Sequence, residues 1–79
     1  MPEQWTTVHI ARLRPGDVFR FPGEHVDSVV TAVLDAYDDE HGRWFPFSSK
    51  ELATGRAQGR SVYLANTSVL FRAARQEGA

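Results

Sequence analysis

Apolar and polar residues alternate in short runs along most of the chain, and Gly, Pro, Asn and Asp separate the runs. A period of two predicts half-buried strands. Trp5-Thr6-Thr7-Val8-His9-Ile10 is rich in β-branched and aromatic residues and predicts a first strand. Val8 and Ile10 share one face of it; Trp5, Thr7 and His9 share the other. Leu13-Arg14-Pro15-Gly16-Asp17 predicts a type II turn, with Pro15 presetting φ at the first central position and Gly16 free to take positive φ at the second. Val18-Phe19-Arg20-Phe21 predicts the next strand, with both phenylalanines inward and Arg20 outward. Pro22-Gly23-Glu24 ends it.

Two periods compete over residues 26–37. Val29, Val33 and Tyr37 fit a helical stripe at i, i+4, i+8. Val26, Val29, Val30, Thr31 and Val33 are β-branched and lose χ1 freedom in a helix. The second consideration favours one long strand, apolar on both faces or carrying a bulge. Asp38 to Gly42 then closes a hairpin as a charged loop. Arg43 to Ser48 is a strand with Phe45 and Phe47 on one face and Trp44 on the other. Pro46 has no amide donor and predicts an edge or an irregularity there. Ser49 to Ala53 reads as a single helical turn before Gly55, and residues 54–60 as a mobile loop. Ser61 to Leu64 and Ser68 to Arg72 are the last strands, joined by a tight turn at Ala65-Asn66-Thr67.

Six short strands with such turns predict a sandwich or barrel, and at this length a closed or nearly closed barrel best shields strand edges. The opener Leu13-Arg14-Pro15-Gly16-Asp17-Val18-Phe19, the β-rich middle, the Gly-bounded hairpin and the closing pair around Val62–Phe71 resemble small SH3-like β-barrels of bacterial and phage proteins. The resemblance spans roughly residues 8–73. It implies an all-β fold, a barrel of five to six strands with an extra N-terminal strand. It also implies a binding module for peptides, nucleic acids or neighbouring domains. It transfers no ligand-contacting motif to these residues.

The length of 79 residues fits one domain, with an ordered core expected over residues 5–73, a frayed tail at 76–79 and a loose start at 1–4. The chain has no cysteine, hence no disulfide and no thiolate metal site. This composition fits a reducing cytoplasm. No signal peptide and no membrane span are read from the sequence. Net charge is −1, but residues 1–42 sum to −5 and residues 43–75 to +5. Such a split predicts a basic face unless strands from the two halves interleave. Eight of the nine basic residues are Arg, which points to a high-GC genome.

The candidate chemistry is sparse. Asp35, Asp38, Asp39 and Glu40 with His41 form the densest set of oxygen ligands, yet they lack a Ca²⁺-loop pattern and read as solvated charge. His9, His25 and His41 have no metal-ligand spacing, and no nucleophile sits in a recognisable catalytic pattern. Gly55 to Arg60 lacks the end of a phosphate loop but offers Arg56 and Arg60 to an anion. Asn66-Thr67-Ser68 matches a glycosylation triplet and reads as a turn. Trp5, Trp44 and Tyr63 fall on the parity opposite the phenylalanines, near Arg20, Arg60 and Arg72, an arrangement suited to stacking a base or gripping a peptide. Catalytic, cofactor and metal sites are therefore expected to be absent. The expected binding residues are Arg20, Arg43, Trp44, Arg56, Arg60, Tyr63 and Arg72. The expected function is a non-catalytic, cytoplasmic interaction module with a protein partner. The alternative is a nucleic-acid-binding barrel using an Arg and aromatic face, and self-association is compatible with either.

Overall fold

The computed structural model describes residues 5–72. The expectations for residues 1–4 and 76–79 lie outside the described residues. Seven strands form one antiparallel sheet: β1 (Thr6–His9), β2 (Val18–Arg20), β3 (Ser28–Val33), β4 (Tyr37–Asp39), β5 (Gly42–Glu51), β6 (Ala57–Leu64) and β7 (Ser68–Arg72). Along the sheet the order is β1-β7-β2-β3-β5, and β5 carries β4 on the same side as β3 and β6 on its other side. The sheet is all-β and is not closed.

The opener folds as its composition dictates. Asp17 donates its N–H to the Arg14 carbonyl at 3.0 Å around Pro15 and Gly16, and Gly16 sits at φ +95°. A side chain there would cost strain that glycine avoids. The Asp17 carboxylate accepts from the Arg14 N–H at 2.8 Å, and its carbonyl accepts from Val30 N–H at 2.9 Å. The turn is thereby fastened to β3. Upstream, the extended run stops at His9. Ile10–Arg12 wind into a single 3₁₀ turn, closed by the Leu13 N–H donating to the Ile10 carbonyl at 3.1 Å, while the Ile10 N–H donates to the Thr67 carbonyl at 2.7 Å and adds one last bond to the β1–β7 pairing. Among the described residues, β1 pairs with β7 alone.

Residues 26–37 hold no helix, but the one long strand expected there is two: β3 covers Ser28–Val33 and β4 begins at Tyr37. β3 carries a bulge between Val30 and Ala32, and the chain breaks at 34–36 before resuming as β4. Pro46 explains the break. Its carbonyl accepts from the Leu34 N–H at 3.0 Å, so its donorless nitrogen faces the same side. The edge position that proline suggests does not occur: β5 is the central strand, and the irregularity is carried by its neighbour.

Two further segments differ from the sequence reading. Ser49–Glu51 extend β5 and do not begin a helical turn, because β3 pairs with them on one side and β6 on the other. The segment read as a loop over 54–60 is a strand from Ala57 onward. Its glycine serves a bulge: Gly59 adopts φ +78° where the register shifts between Ser49 and Lys50.

The core fills one face of the curled sheet. Ile10, Leu13, Phe19, Val30, Phe45, Phe47 and Val69 are buried, and Val8, Phe21, Val33, Tyr63 and Phe71 pack on them. Phe19 meets Phe21 and Phe47 edge to face at 5.8 and 5.6 Å, a favoured geometry for ring quadrupoles. Phe21 also meets Tyr63 at 5.1 Å, although β2 and β6 are not paired strands. The curl of the open sheet makes that contact. Among the described residues no helix is long and apolar enough to cross a membrane.

Candidate interaction surface

The fold disperses the seven expected binding residues. Trp5 does meet arginine as the parity suggests: the Arg20 guanidinium lies 4.2 Å and that of Arg72 5.4 Å from its ring centroid. Arg20 is already engaged, with Nε and Nη2 donating to the two carboxylate oxygens of Asp27 at 2.7 and 3.2 Å. This cluster is a stacked, charge-paired fastening of the outer face of β1, β2 and β7. Arg43 donates from one Nη to both oxygens of Asp38 at the β4–β5 hairpin. That pair joins the acidic half of the chain to the basic half.

Tyr63 is a correction. The sequence reading places it on the outer face, but the β5–β6 register sets it opposite Phe45, on the core side, with its ring 6.2 Å from Phe47. Val62 takes the outward position instead. Trp44 is outward as read, flanked in register by Tyr37 and Leu64, and its indole N–H is buried with no hydrogen-bond partner. Arg56 is exposed in the β5–β6 turn, and Arg60 is exposed on β6 opposite Ser48. Among the described residues, neither arginine, nor Lys50 beside them, has an ion pair.

Two depressions flank β6. The concave one, about 380 Å³, has the rings of Phe19, Phe21, Phe47 and Tyr63 as its floor, with Ser28, Ser49, Ser61, Gln58 and Glu24 around them. Ser49 already donates to the Gln58 side-chain carbonyl at 2.9 Å, which satisfies part of that polar wall internally. The convex groove, about 420 Å³, is lined by Leu34, Asp35, Tyr37, Pro46, Arg60, Ser61 and Val62. It exposes large apolar side chains: Leu34 by 36%, Tyr37 by 48% and Val62 by 43%. These apolar side chains share the groove with the charged Asp35 and Arg60.

The groove follows from the local sequence. Because Pro46 breaks the neighbouring strand, Leu34 stands at the break and Tyr37 at the start of β4, while Val62 stands directly opposite Pro46 on β6. Sequence reasoning did not single out Leu34, Tyr37, Pro46 or Val62. The available signal was the run Arg43-Trp44-Phe45-Pro46-Phe47, which is apolar on both parities and so demands a cover on each face. The phenylalanines find theirs in the core; the outer row of Trp44 and Pro46 is covered only in part.

Among the described residues, no three His, Asp or Glu side chains converge where they could hold a metal ion. Comparison of the chain with protein-family models, with curated proteins and with solved structures finds no match.

Proposed function

We propose that this chain is a non-catalytic SH3-like interaction module that binds a protein partner through the convex groove over Pro46, in the cytoplasm of a high-GC bacterium or its phage. The SH3-like architecture is supported by the β2-β3-β5-β6 succession of neighbours and by the return of β7 to β2. The observation that carries the function is the exposure of Leu34, Tyr37 and Val62 around one groove. Each of these side chains is less than half exposed, so covering it fully contributes under about half of the roughly 1.5–3 kcal/mol of a whole apolar side chain, before the cost of association. A nucleic-acid reading, which would use Arg43, Arg56, Arg60 and Arg72 with Trp44 and Tyr63, keeps Arg56, Arg60 and the outward Trp44 but loses Tyr63, which faces the core, while Arg43 is paired with Asp38 and Arg72 lies by Trp5.

A photo-crosslinking amino acid at position 37 or 62, compared with one at exposed position 14, tests the reading in cells of the native host. The expected result is one protein partner joined from both groove positions and not from position 14. The same set of proteins from all three positions overturns it. A titration of the ¹⁵N-labelled chain with random-sequence DNA and RNA separates the alternative. Shifts at Arg56 and Arg60 that fade with salt would transfer the assignment to nucleic acid.

A further inference from the structure

The groove is bordered by a strand edge with unmet hydrogen-bonding capacity. On β6 the residues opposite Phe45 and Phe47, Tyr63 and Ser61, exchange hydrogen bonds with β5, since Pro46 has no donor to exchange with Val62. Ala65 N–H donating to the Arg43 carbonyl at 2.7 Å keeps the same alternation. The N–H and C=O groups of Arg60 and Val62 therefore point away from β5. No strand pairs with that side among the described residues, and neither residue has a further bond.

Strand edges are ordinarily protected by charge, proline, bulges or a covering segment. Here the bulge at Gly59 protects only the start of β6. Residues 60–64 continue without proline or glycine, and their outward side chains are Arg60, Val62 and Leu64. Those side chains form an ordered code along the edge: cationic, then apolar, then apolar. Arg60 and its neighbours Arg56 and Lys50 carry unpaired positive charge at the hairpin end of the strand.

We infer that the free edge of β6 takes up an extended segment of the partner protein as an added strand, with an apolar side chain of that segment beside Val62 and an acidic one beside Arg60. This rests on the interaction-module reading and names the form of the ligand. Main-chain hydrogen bonds to Arg60 and Val62 supply sequence-independent affinity, and the alternate side chains supply the selection. The charge complement distinguishes a partner from a second copy: antiparallel self-pairing centred on Val62 would set Arg60 against Leu64 and leave the cationic end unanswered.

The test uses the full ¹⁵N-labelled chain and the capped peptide Thr-Glu-Thr-Val-Thr-Glu-Thr, read by amide hydrogen exchange. The expected result is fast exchange at Arg60 and Val62 in the free protein, slowed about tenfold or more on saturation with peptide, as protected amides are. Val62→Pro deletes a donor that β5 does not use. It should keep the chemical-shift dispersion of β1, β2 and β7 while abolishing the protection. Val62→Thr keeps the donor and should keep the protection. Arg60→Glu should weaken binding about tenfold, and a peptide with Lys in place of Glu should reverse that preference.

Peptide-induced shifts at Leu34 and Tyr37 without slowed exchange at Arg60 and Val62 overturn strand addition and leave the groove reading standing. No response to the peptide overturns the inference, and crosslinking from positions 37 and 62 then decides the function separately. Protection that rises with protein concentration in the absence of peptide replaces the partner segment with a second copy.

Discussion

The Asp17 carbonyl accepts from the Val30 N–H at 2.9 Å while the Val30 carbonyl accepts from the Gly16 N–H at 2.8 Å. The turn that opens the fold is thus locked to the middle of β3 by two reciprocal bonds. Asp17 adds a third fastening by accepting from the Arg14 N–H at 2.8 Å. Asp17 is buried, so removing its carboxylate leaves the Arg14 amide without that acceptor. Asp17→Ala is expected to destabilise by about 1–2 kcal/mol and Asp17→Asn by less, because the amide keeps an acceptor oxygen. Urea denaturation at neutral pH checks the order of the two.

Phe47 is 1% exposed and touches the rings of Phe19, Phe45 and Tyr63. Phe47→Ala is expected to cost about 3–5 kcal/mol, which approaches the whole stability of a domain this small. Loss of a cooperative transition in differential scanning calorimetry is the predicted signature. A retained sharp transition within a few degrees of the parent would contradict the core assignment.

Trp44 presents the opposite case. Its indole N–H is buried and unpaired, so the ring brings packing together with an unmet donor. Trp44→Phe removes that donor along with part of the ring. The expected loss is under about 1 kcal/mol, well below a usual large aromatic truncation. Chemical denaturation of the variant decides it; a cost of several kcal/mol would show that the N–H has a partner in solution.

Gly59 takes φ +78° with nothing within 4 Å of where a Cβ would stand. Any penalty for Gly59→Ala is therefore backbone strain alone, about 1 kcal/mol. If Gly59→Ala proves neutral by denaturation, the bulge relaxes in solution.

Arg20 clamps Asp27 with two nitrogens and covers Trp5, so lysine cannot substitute for it. Arg20→Lys should cost up to about 1 kcal/mol, since both side chains retain some solvent contact. In a Trp44→Phe background, Trp5 fluorescence should shift to the red as the ring gains water. An unchanged spectrum would mean that Arg72 alone shields it.

These outcomes also mark where the sequence was legible. The Pro15-Gly16 turn, the bulged strand within 26–37 (though not its break at 34–36) and the inward phenylalanines all depend on local stereochemistry or period, and composition carries both. The start of β6 was not legible, because Thr54 to Arg60 has the composition of a loop and only pairing with β5 extends it. The orientation of Tyr63 failed for a related reason. Parity is fixed by register, and register here is set across a bulge at Gly59 that the residues do not announce. Pro46 signalled an irregularity, and a partner strand absorbed it. The groove went unseen because its residues come from three separated segments.

β7 lies between β1 and β2, and among the described residues β1 has no other neighbour. During synthesis, then, β1 waits for β7, which is made later. Until the residues up to Arg72 have emerged, β1 and one side of β2 hold open ladders, and the Ile10 amide lacks the Thr67 carbonyl that receives it. Consolidation of this half of the sheet is therefore a late event with long loops to close. β1 and β7 are some sixty residues apart along the chain, so no local segment can stand in for the partner that either strand lacks.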